Sequence, residues 1–371
     1  MYKKKAWKEI LTITSGKNQK SVESFNGKYP IYGSGGIIGY ANEYLCPANT
    51  IIVGRKGTIN RPIYVTEPFW NIDTAFGIVA GIELIPKFLY FFCLTYNFKS
   101  LDKSTGRPSI SKSDLLKIEM PIPDIDEQQR IVSRIEELFS ELDKSVEILQ
   151  TIKKQLEVYR QAVLKEAFSS LHEKVQIRSI SSMVTSGSRG WAKYYSEEGA
   201  RFVRITDLTR NHIKLKNNAI QRVCLPQNAE GKRSRLHGGD VLISITADLG
   251  SIALVPDSIE ETYINQHIAV VRFNNAYQGE FMAWYLKSEY GQKDLLKNKR
   301  GGGKLGLGLD DIRNVVVPVV SNEIADRIVK AIDSRLSVCD SIEQTVDMAL
   351  SQAEAMRQSI LKKAFEGGLS E

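Results

Sequence analysis

Residues 160–168 have the sequence RQAVLKEAF, and residues 357–365 have the sequence RQSILKKAF. The two strings belong to one internal repeat. When the chain is shifted by the 197 residues that separate Arg160 from Arg357, residues 113–168 align without a gap on residues 310–365. Matched pairs along the repeat include Asp114/Asp311, Pro121/Pro318, Ile135/Ile332 and Asp143/Asp340. A gapless repeat of this length indicates a duplicated architecture whose period is half of the chain.

Both copies of the repeat have the pattern of a long helix. Apolar residues recur in steps of three and four from Ile131 to Ala167 and from Ile324 to Ala364, without proline or internal glycine. Asp126 and Gln129 predict a capping box at the start of the first helix. An apolar stripe this long and narrow needs a matching partner, so we predict that the two helices pair as an antiparallel coiled coil. The alternative is that each helix packs on its own neighbouring domain.

Charge divides the chain into four segments. The net charge is +7 overall, made up of +7 for residues 1–123, −3 for 124–172, +6 for 173–320 and −3 for 321–371. The two long basic segments would attract a polyanion such as DNA. Each has strand-like runs, an aromatic helical stretch and polar loops that contain glycine. We therefore predict an α+β fold, with two pseudo-symmetric, mostly-β or mixed domains separated by the two long helices.

The composition excludes several classes of protein. With 42% hydrophobic and 25% charged residues the chain is globular, and its apolar runs are far shorter than a membrane span. The four cysteines are scattered and the basic N-terminus precedes no apolar segment, so we expect a reduced, cytoplasmic protein. The four histidines do not cluster, and neither a P-loop nor a GxSxG or HExxH motif is present. The sequence therefore predicts neither a metal site nor a catalytic centre.

Three strings carry a resemblance to a known family. They are YGSGGIIGY at 32–40, IVGRKG at 52–57, and LLKIEMPIP at 115–123 followed by EQQRI at 127–131. Together with the two divergent basic domains and the repeated helix, they resemble the specificity subunit of type I DNA restriction–modification systems. In the second copy, Asn322–Ala325 replaces the Glu-Gln-Gln run, which weakens the match there.

The resemblance implies a function and a set of partners. Residues 1–123 and 173–320 would be target-recognition domains, and residues 124–172 and 321–371 would be helical spacers. The subunit would bind a two-part asymmetric site in double-stranded DNA and would scaffold two methylation subunits and the restriction subunits. It would have no catalytic activity and no cofactor of its own, with S-adenosylmethionine held by the methylation subunits, and no contact with a membrane.

Basic and amide side chains in the loops are the candidates for DNA contact. Arginine and lysine can bind guanine edges or phosphates, whereas asparagine, glutamine and aspartate can bind adenine or cytosine edges. The candidates are Arg55, Lys56, Arg61, Asn71, Asp73 and Arg107 in the first domain, and Arg189, Arg204, Asn265, Gln266, Arg300 and Lys304 in the second. Arg130, Arg160, Arg327 and Arg357 recur at equivalent helix positions, which favours interhelical pairing or subunit docking.

Two other functions stay open at this point. The chain could be a coiled-coil interaction scaffold whose basic domains bind RNA or acidic proteins. It could also be a self-contained DNA enzyme whose active site is spread through the sequence.

Overall fold

The computed structural model describes residues 2–225, 233–275, 278–297, 299 and 306–368. The chain divides into two compact units. Unit 1 comprises Met1–Leu149 with Asp347–Glu371, and unit 2 comprises Gln150–Val346. Both divisions fall inside long helices, so each unit contains a part of both helices. The domain boundaries predicted from charge stay predictions.

Unit 1 is built on an antiparallel sheet with the strand order β2-β8-β5-β6. A second sheet has the order β4-β3-β7, in which β3 and β7 are parallel. The short strands β1 and β9 pair with each other. The elements are β1 (Lys4–Ala6), α1 (Trp7–Ile10), β2 (Leu11–Ser15), β3 (Tyr29–Gly33), β4 (Gly36–Ala41), β5 (Thr50–Gly54), β6 (Ile63–Val65), β7 (Trp70–Asn71), β8 (Ala75–Ala80), α2 (Pro86–Thr95), α3 (Lys112–Leu115), β9 (Glu119–Pro121) and the first part of α4 (Ile125–Phe168).

Unit 2 repeats this topology. Its main sheet has the order β11-β18-β15-β16, and its second sheet, β12-β14-β13-β17, again contains a parallel pair, β13 with β17. The elements are β10 (Lys174–Gln176), α5 (Ile177–Ile180), β11 (Ser181–Ser186), β12 (Tyr195–Ser196), β13 (Ala200–Val203), β14 (Arg222–Val223), β15 (Val241–Ser244), β16 (Ile252–Leu254), β17 (Thr262–Ile264), β18 (Ile268–Phe273), α6 (Gly279–Lys287), α7 (Glu289–Leu296), α8 (Leu309–Arg313), β19 (Val316–Pro318) and the first part of α9 (Asn322–Glu366). Short 3₁₀ turns lie at Phe98–Leu101, Trp191–Tyr194 and Ile205–Asp207.

The long helices are paired within each unit. In unit 1, Asp143 of α4 forms an ion pair with Arg357 of α9. In unit 2, Arg160 lies 2.7 Å from Asp340. Also in unit 2, Glu166 lies 2.7 Å from Arg335. From Arg160 to Glu166 the residue numbers rise along α4 while those of the partners on α9 fall, which confirms the predicted antiparallel arrangement.

The helices also pack on the domains. Near its start α4 packs on its own neighbouring domain, as the alternative predicted, with the ring of Phe139 5.9 Å from that of Phe91 on α2. The end of each helix packs on the other domain. The ring of Phe168 lies 5.5 Å from that of Phe281 on α6. At the equivalent position of the repeat, the ring of Phe365 lies 5.0 Å from that of Phe88 on α2. These aromatic contacts join the hydrophobic core of each unit to a helix end.

The start of α4 differs from the prediction. The capping box at Asp126 and Gln129 is wrong, because the helix begins at Ile125 and the Oδ1 of Asp124 accepts the N–H of Glu127 at 2.8 Å. Asp124 offers a side-chain acceptor directly after Pro123, so the helix starts earlier than predicted. The equivalent Ser321 accepts the N–H of Ile324 at 3.4 Å, so the cap is repeated as well.

Gln128 gives the Glu-Gln-Gln run a structural role. Its buried amide accepts the N–H of Ile85 at 2.8 Å and donates to the carbonyl oxygens of Glu83 and Pro123 at 2.9 and 3.0 Å. These bonds attach the start of α4 to the loop before α2. Ala325 occupies the equivalent position in α9 and is buried without an amide.

Candidate nucleic-acid interface

Three segments that sequence analysis singled out meet at one end of the main sheet in unit 1. The N–H of Arg55 donates to the carbonyl of Thr74 at 2.8 Å, and the N–H of Ile110 donates to the carbonyl of Arg55 at 3.0 Å. Lys56 also forms a backbone bridge with Ser109. We call residues 55–61, 72–74 and 102–109 the unit 1 loop cluster.

The same backbone frame recurs in unit 2. The N–H of Ile245 donates to the carbonyl of His267 at 2.9 Å, and that of Leu307 donates to the carbonyl of Ile245 at 3.0 Å. Thr246 forms the bridge with Gly306. We call residues 188–190, 204–207, 246–248 and 265–267 the unit 2 loop cluster. The two clusters share their hydrogen bonds but not their side chains.

One glycine in each unit permits a close approach that the frame requires. A Cβ on Gly16, which follows β2, would lie 1.8 Å from the carbonyl oxygen of Ile72. A Cβ on Gly187, which follows β11, would lie 2.0 Å from that of Ile264. Any side chain at either position would displace the turn that follows the parallel strand pair. Sequence analysis missed both glycines.

Cationic side chains in the unit 1 loop cluster are half-buried or exposed. The guanidinium of Arg55 lies 5.8 Å from the ring centroid of Phe76. Arg107 is exposed and packs over Gly57, whose φ of +80° and lack of a side chain make room for the guanidinium. Lys56 is half-buried and Arg61 is exposed. Lys103, which sequence analysis did not select, is exposed in the same cluster.

The two polar candidates near β7 have different environments. Asp73 is exposed in the turn between β7 and β8. Asn71 is fully buried, and its amide donates to the carbonyl oxygen of Ala75 at 3.1 Å while accepting from the Sγ of Cys46 at 3.2 Å. The Asn71 side chain therefore supports the turn from inside, and its burial removes it from the candidate base-contacting surface.

Asp102 organises the loop that carries Arg107. Its Oδ1 accepts the N–H and the hydroxyl of Ser104 at 3.0 and 2.7 Å and the N–H of Ser109 at 3.1 Å. These hydrogen bonds lower the pKa of the Asp102 carboxyl, and the bond from the Ser104 hydroxyl has the largest effect. The Asp-x-Ser spacing typical of such turns could have indicated this residue.

Four candidates lie together in unit 2. Arg204 and Asn265 follow the neighbouring parallel strands β13 and β17, and the N–H of Asn265 donates to the carbonyl of Val203 at 3.2 Å. Ser188 forms a bridge with Asn265, which brings Arg189 to the same cluster. Gln266 lies beside Asn265 and is half-buried. Arg300 and Lys304 lie outside the described residues.

A histidine that sequence analysis did not select completes the unit 2 loop cluster. The Nδ1 of His267 lies 2.6 Å from the hydroxyl of Thr246, and its Nε2 lies 3.1 Å from the amide nitrogen of Gln266. These contacts orient the Gln266 amide beside Asn265. The cluster thus presents amide, hydroxyl and imidazole groups alongside the two arginines.

The four helical arginines occupy two environments. Arg160 is buried between Asp340 and Glu343 of α9, and Arg357 pairs with Asp143 of α4 and lies over the ring of Phe139. Arg130 is exposed and pairs with Glu127 on its own helix, and Arg327 is exposed. Only the first two contact the other helix in the described part of the chain.

The described residues contain neither a metal-ion cluster nor a helix that could span a membrane. In the described ranges, no group of three or more histidine, cysteine, aspartate or glutamate side chains could hold a metal ion. No helix in the described part of the chain is both long and apolar enough to cross a bilayer.

A family model described as the type I restriction modification DNA specificity domain matches residues 1–158 and 191–351. The chain belongs to this DNA specificity family. The two matched segments cover most of the chain and contain the unit 1 loop cluster and all of the unit 2 loop cluster except residues 188–190. The family assignment agrees with the duplication seen in the strands, the helices and the backbone frame.

Several curated relatives of this chain are named as specificity subunits of type I restriction enzymes. The chain is 24% identical to the type I restriction enzyme EcoBI specificity subunit of Escherichia coli, over 86% of this chain and 73% of the relative. It is 22% identical to the MjaVIII specificity subunit of Methanocaldococcus jannaschii, over 86% and 76%. A solved structure, from work on complex assembly and conformational transition of the type I restriction–modification system, has a TM-score of 0.75 at 17% identity and covers 99% of this chain and 98% of that one. At this identity the structural likeness supports the fold.

Proposed function

We propose that this chain is the DNA-binding subunit of a type I restriction–modification complex and that each unit recognises one half of a two-part asymmetric site. The observation that carries the proposal is the shared backbone frame of the two loop clusters. A duplicated frame places side chains at equivalent positions, and different side chains at those positions contact different bases. Arg55 and Lys56 in unit 1 correspond to the buried Ile245 and the half-buried Thr246 in unit 2, so the two clusters present different side chains and we expect two different half-sites.

The partners follow from the family rather than from the geometry. Two methylation subunits, which hold S-adenosylmethionine and modify adenine, would dock on this chain, and restriction subunits would join them. Residues 1–123 and 173–320 are the proposed recognition domains, and 124–172 and 321–371 are the proposed spacers. Exposed Arg130 and Arg327 on the spacers are candidates for docking. The chain itself would supply no catalytic group and no cofactor.

The comparisons favour this function over the alternatives. Specificity subunits recur among the curated relatives, whereas a scaffold for RNA or acidic proteins has no support among them. The contribution of the backbone frame is to explain how one chain can carry two different sequence preferences.

Methylation mapping tests the proposal. The chain is co-expressed with its methylation subunits in a host that lacks adenine methylation, and methylated adenines are mapped across the genome. We expect one asymmetric two-part motif that appears only when the chain is present. The same motif without the chain, or no sequence preference with it, would contradict the proposal.

A further inference from the structure

The β3–β4 hairpin carries an apolar tip that protrudes from unit 1. Ile37 and Ile38 are adjacent on β4, and their side chains are 53% and 54% exposed. Ile37 pairs with Tyr32 and Gly39 pairs with Ile31, so Ile38 is the extra residue of a β-bulge, which interrupts the regular alternation of faces and leaves both isoleucines exposed at the tip. A Cβ placed on Gly35 or Gly36 in the turn would meet no atom within 4 Å. The tip therefore extends beyond the packed part of the unit.

The tip adjoins the unit 1 loop cluster. A Cβ on Gly33, the last residue of β3, would lie 3.6 Å from Ile72 Cδ1 and from Thr74 Oγ1, and 3.8 Å from Ile38 Cγ2. The N–H of Ile72 donates to the carbonyl of Tyr32 at 3.0 Å. The isoleucines are thus attached to the turn that bonds to Arg55, and they extend a surface that carries the cations Arg55, Lys56 and Arg107 together with the exposed carboxylate of Asp73.

An apolar ribbon beside a cationic surface has a specific chemical counterpart in the major groove of duplex DNA. The major groove admits a two-stranded β-ribbon, and the apolar group that it displays on a base edge is the 5-methyl group of thymine. We propose that Ile37 and Ile38 contact a thymine methyl group in the half-site recognised by unit 1. This inference rests on the proposed function and adds a base identity to it.

Unit 2 has a different structure at the corresponding place. There the strand equivalent to β3 is β13, which is followed by Arg204 and the 3₁₀ turn Ile205–Asp207 instead of a hairpin with an apolar tip. Arg204 thus stands where Gly33 stands in unit 1. The contact with a methyl group is accordingly expected in one half-site only.

Replacing thymine with deoxyuridine isolates the methyl group, because the two bases differ in nothing else. The complex of this chain with its methylation subunits is titrated with duplexes of the mapped motif in which each thymine is replaced in turn. We expect one position, in one half-site, at which deoxyuridine weakens binding about fourfold, the effect of losing one buried methyl group.

A double-mutant cycle connects this position to the hairpin. The Ile37→Ala/Ile38→Ala variant should bind the thymine duplex about as weakly as the original complex binds the deoxyuridine duplex, and it should no longer distinguish the two. Ile82→Ala is the matched control. Ile82 is fully exposed in the same unit but lies beyond the opposite end of β8, so the preference for thymine should persist.

The outcomes separate this inference from the proposed function. If the complex recognises its motif but deoxyuridine has no effect at any position, or if the effect persists in the double variant, the thymine contact is overturned and the proposed function stands. If the complex shows no preference for the motif over scrambled DNA, both are overturned.

Discussion

Arg107 is constrained from two directions. The hydroxyl of Ser104 donates to its carbonyl at 2.9 Å, and its guanidinium lies over Gly57. We predict that Arg107→Ala weakens DNA binding by the assembled complex at least fivefold, as expected for the loss of one arginine contact with a base or a phosphate. Titrations at several salt concentrations measure this. A phosphate contact reduces the salt slope by about one, whereas a base contact relaxes the preference at one position.

Lys8 provides the control for Arg107. It is an exposed cation of the same unit that lies on α1, at the opposite end of β2 from the loop cluster. Lys8→Ala should leave both affinity and sequence preference unchanged. If Arg107→Ala changes neither the affinity, the salt slope nor the preference, Arg107 is not part of the interface.

Asn71 is predicted to stabilise the fold rather than to contact DNA. Asn71→Ala would leave the buried thiol of Cys46 without its acceptor and would remove the side-chain donor to the carbonyl oxygen of Ala75, which keeps the N–H of Gly16. The free energy of unfolding should fall by about 1–3 kcal/mol, the usual cost of leaving a buried polar group without its partner. Urea unfolding measures this. Asp73→Ala, an exposed change two residues later, should alter it by no more than about 0.5 kcal/mol. Equal stability of the two variants would contradict this role.

His212 gives unit 2 an acid-sensitive stability. Burial, assisted by nearby Lys214, Lys287 and Arg160, lowers the pKa of its imidazole to about 4 despite the opposing effect of Asp340. An unfolded histidine has a pKa near 6.5, so between these values the unfolded chain binds a proton that the folded chain excludes. Stability is therefore complete above about pH 6.5 and falls as the pH decreases toward 4. From pH 7 to pH 5 we expect a loss of about 2 kcal/mol from this group.

The His212→Gln variant isolates the histidine from other acid effects. Glu280 and Asp333 line the same groove, and burial raises the pKa of both carboxyls, so their protonation has the opposite effect on stability. The loss of unfolding free energy from pH 7 to pH 5 is measured for the original protein and for the variant, and the difference between the two losses removes these contributions. An identical loss of stability in both chains would show that His212 does not titrate in this way.

At the scale of elements, the paired helices depend on two repeated arginines. Arg160 is 95% buried, at 2.7 and 2.9 Å from carboxylates of Asp340 and Glu343. Arg160→Ala would leave those carboxylates without their buried counterion, so we expect the free energy of unfolding to fall by about 2–3 kcal/mol. Urea unfolding measures the change. Arg130→Ala removes an exposed pair within one helix and should cost at most about 0.5 kcal/mol. A similar small cost for both would exclude a stabilising role for the Arg160 pair.

The helices were predictable because their apolar period extends over many turns and recurs in both copies. The packing of the helix ends on α6 and α2 was not predictable. The residues that make it, Phe168 and Phe365, belong to the same apolar stripes as the residues that join the two helices. A sequence pattern gives the face of a helix that is buried but not the element that buries it. The role of Gln128 was hidden for a related reason, because the loop that it binds lies more than forty residues earlier in the chain.

For the whole molecule, the sequence repeat is detectable in the helices, where packing constrains the side chains, and is not detectable in the loops. The frame of the two clusters consists of backbone hydrogen bonds, which place few demands on side-chain identity, so Arg55 and Ile245 can occupy the same position. For this reason the sequence indicated the order of the loops but could not distinguish buried Asn71 from exposed Asp73. Lys103, Asp102 and His267 were missed because their roles depend on neighbours that only folding brings together.

Two recognition clusters in separate compact units should act independently. We predict that Arg107→Ala alters the preference for only one half of the methylation motif and that Gln266→Ala alters only the other, because each residue belongs to a different unit and a different loop cluster. In the double variant the two losses of binding free energy should add to within about 0.5 kcal/mol, as for sites that share no contacts. Methylation mapping identifies the affected half, and titration of the assembled complex measures additivity. A single variant that relaxes both halves, or losses that are far from additive, would show that the clusters recognise DNA as one coupled surface.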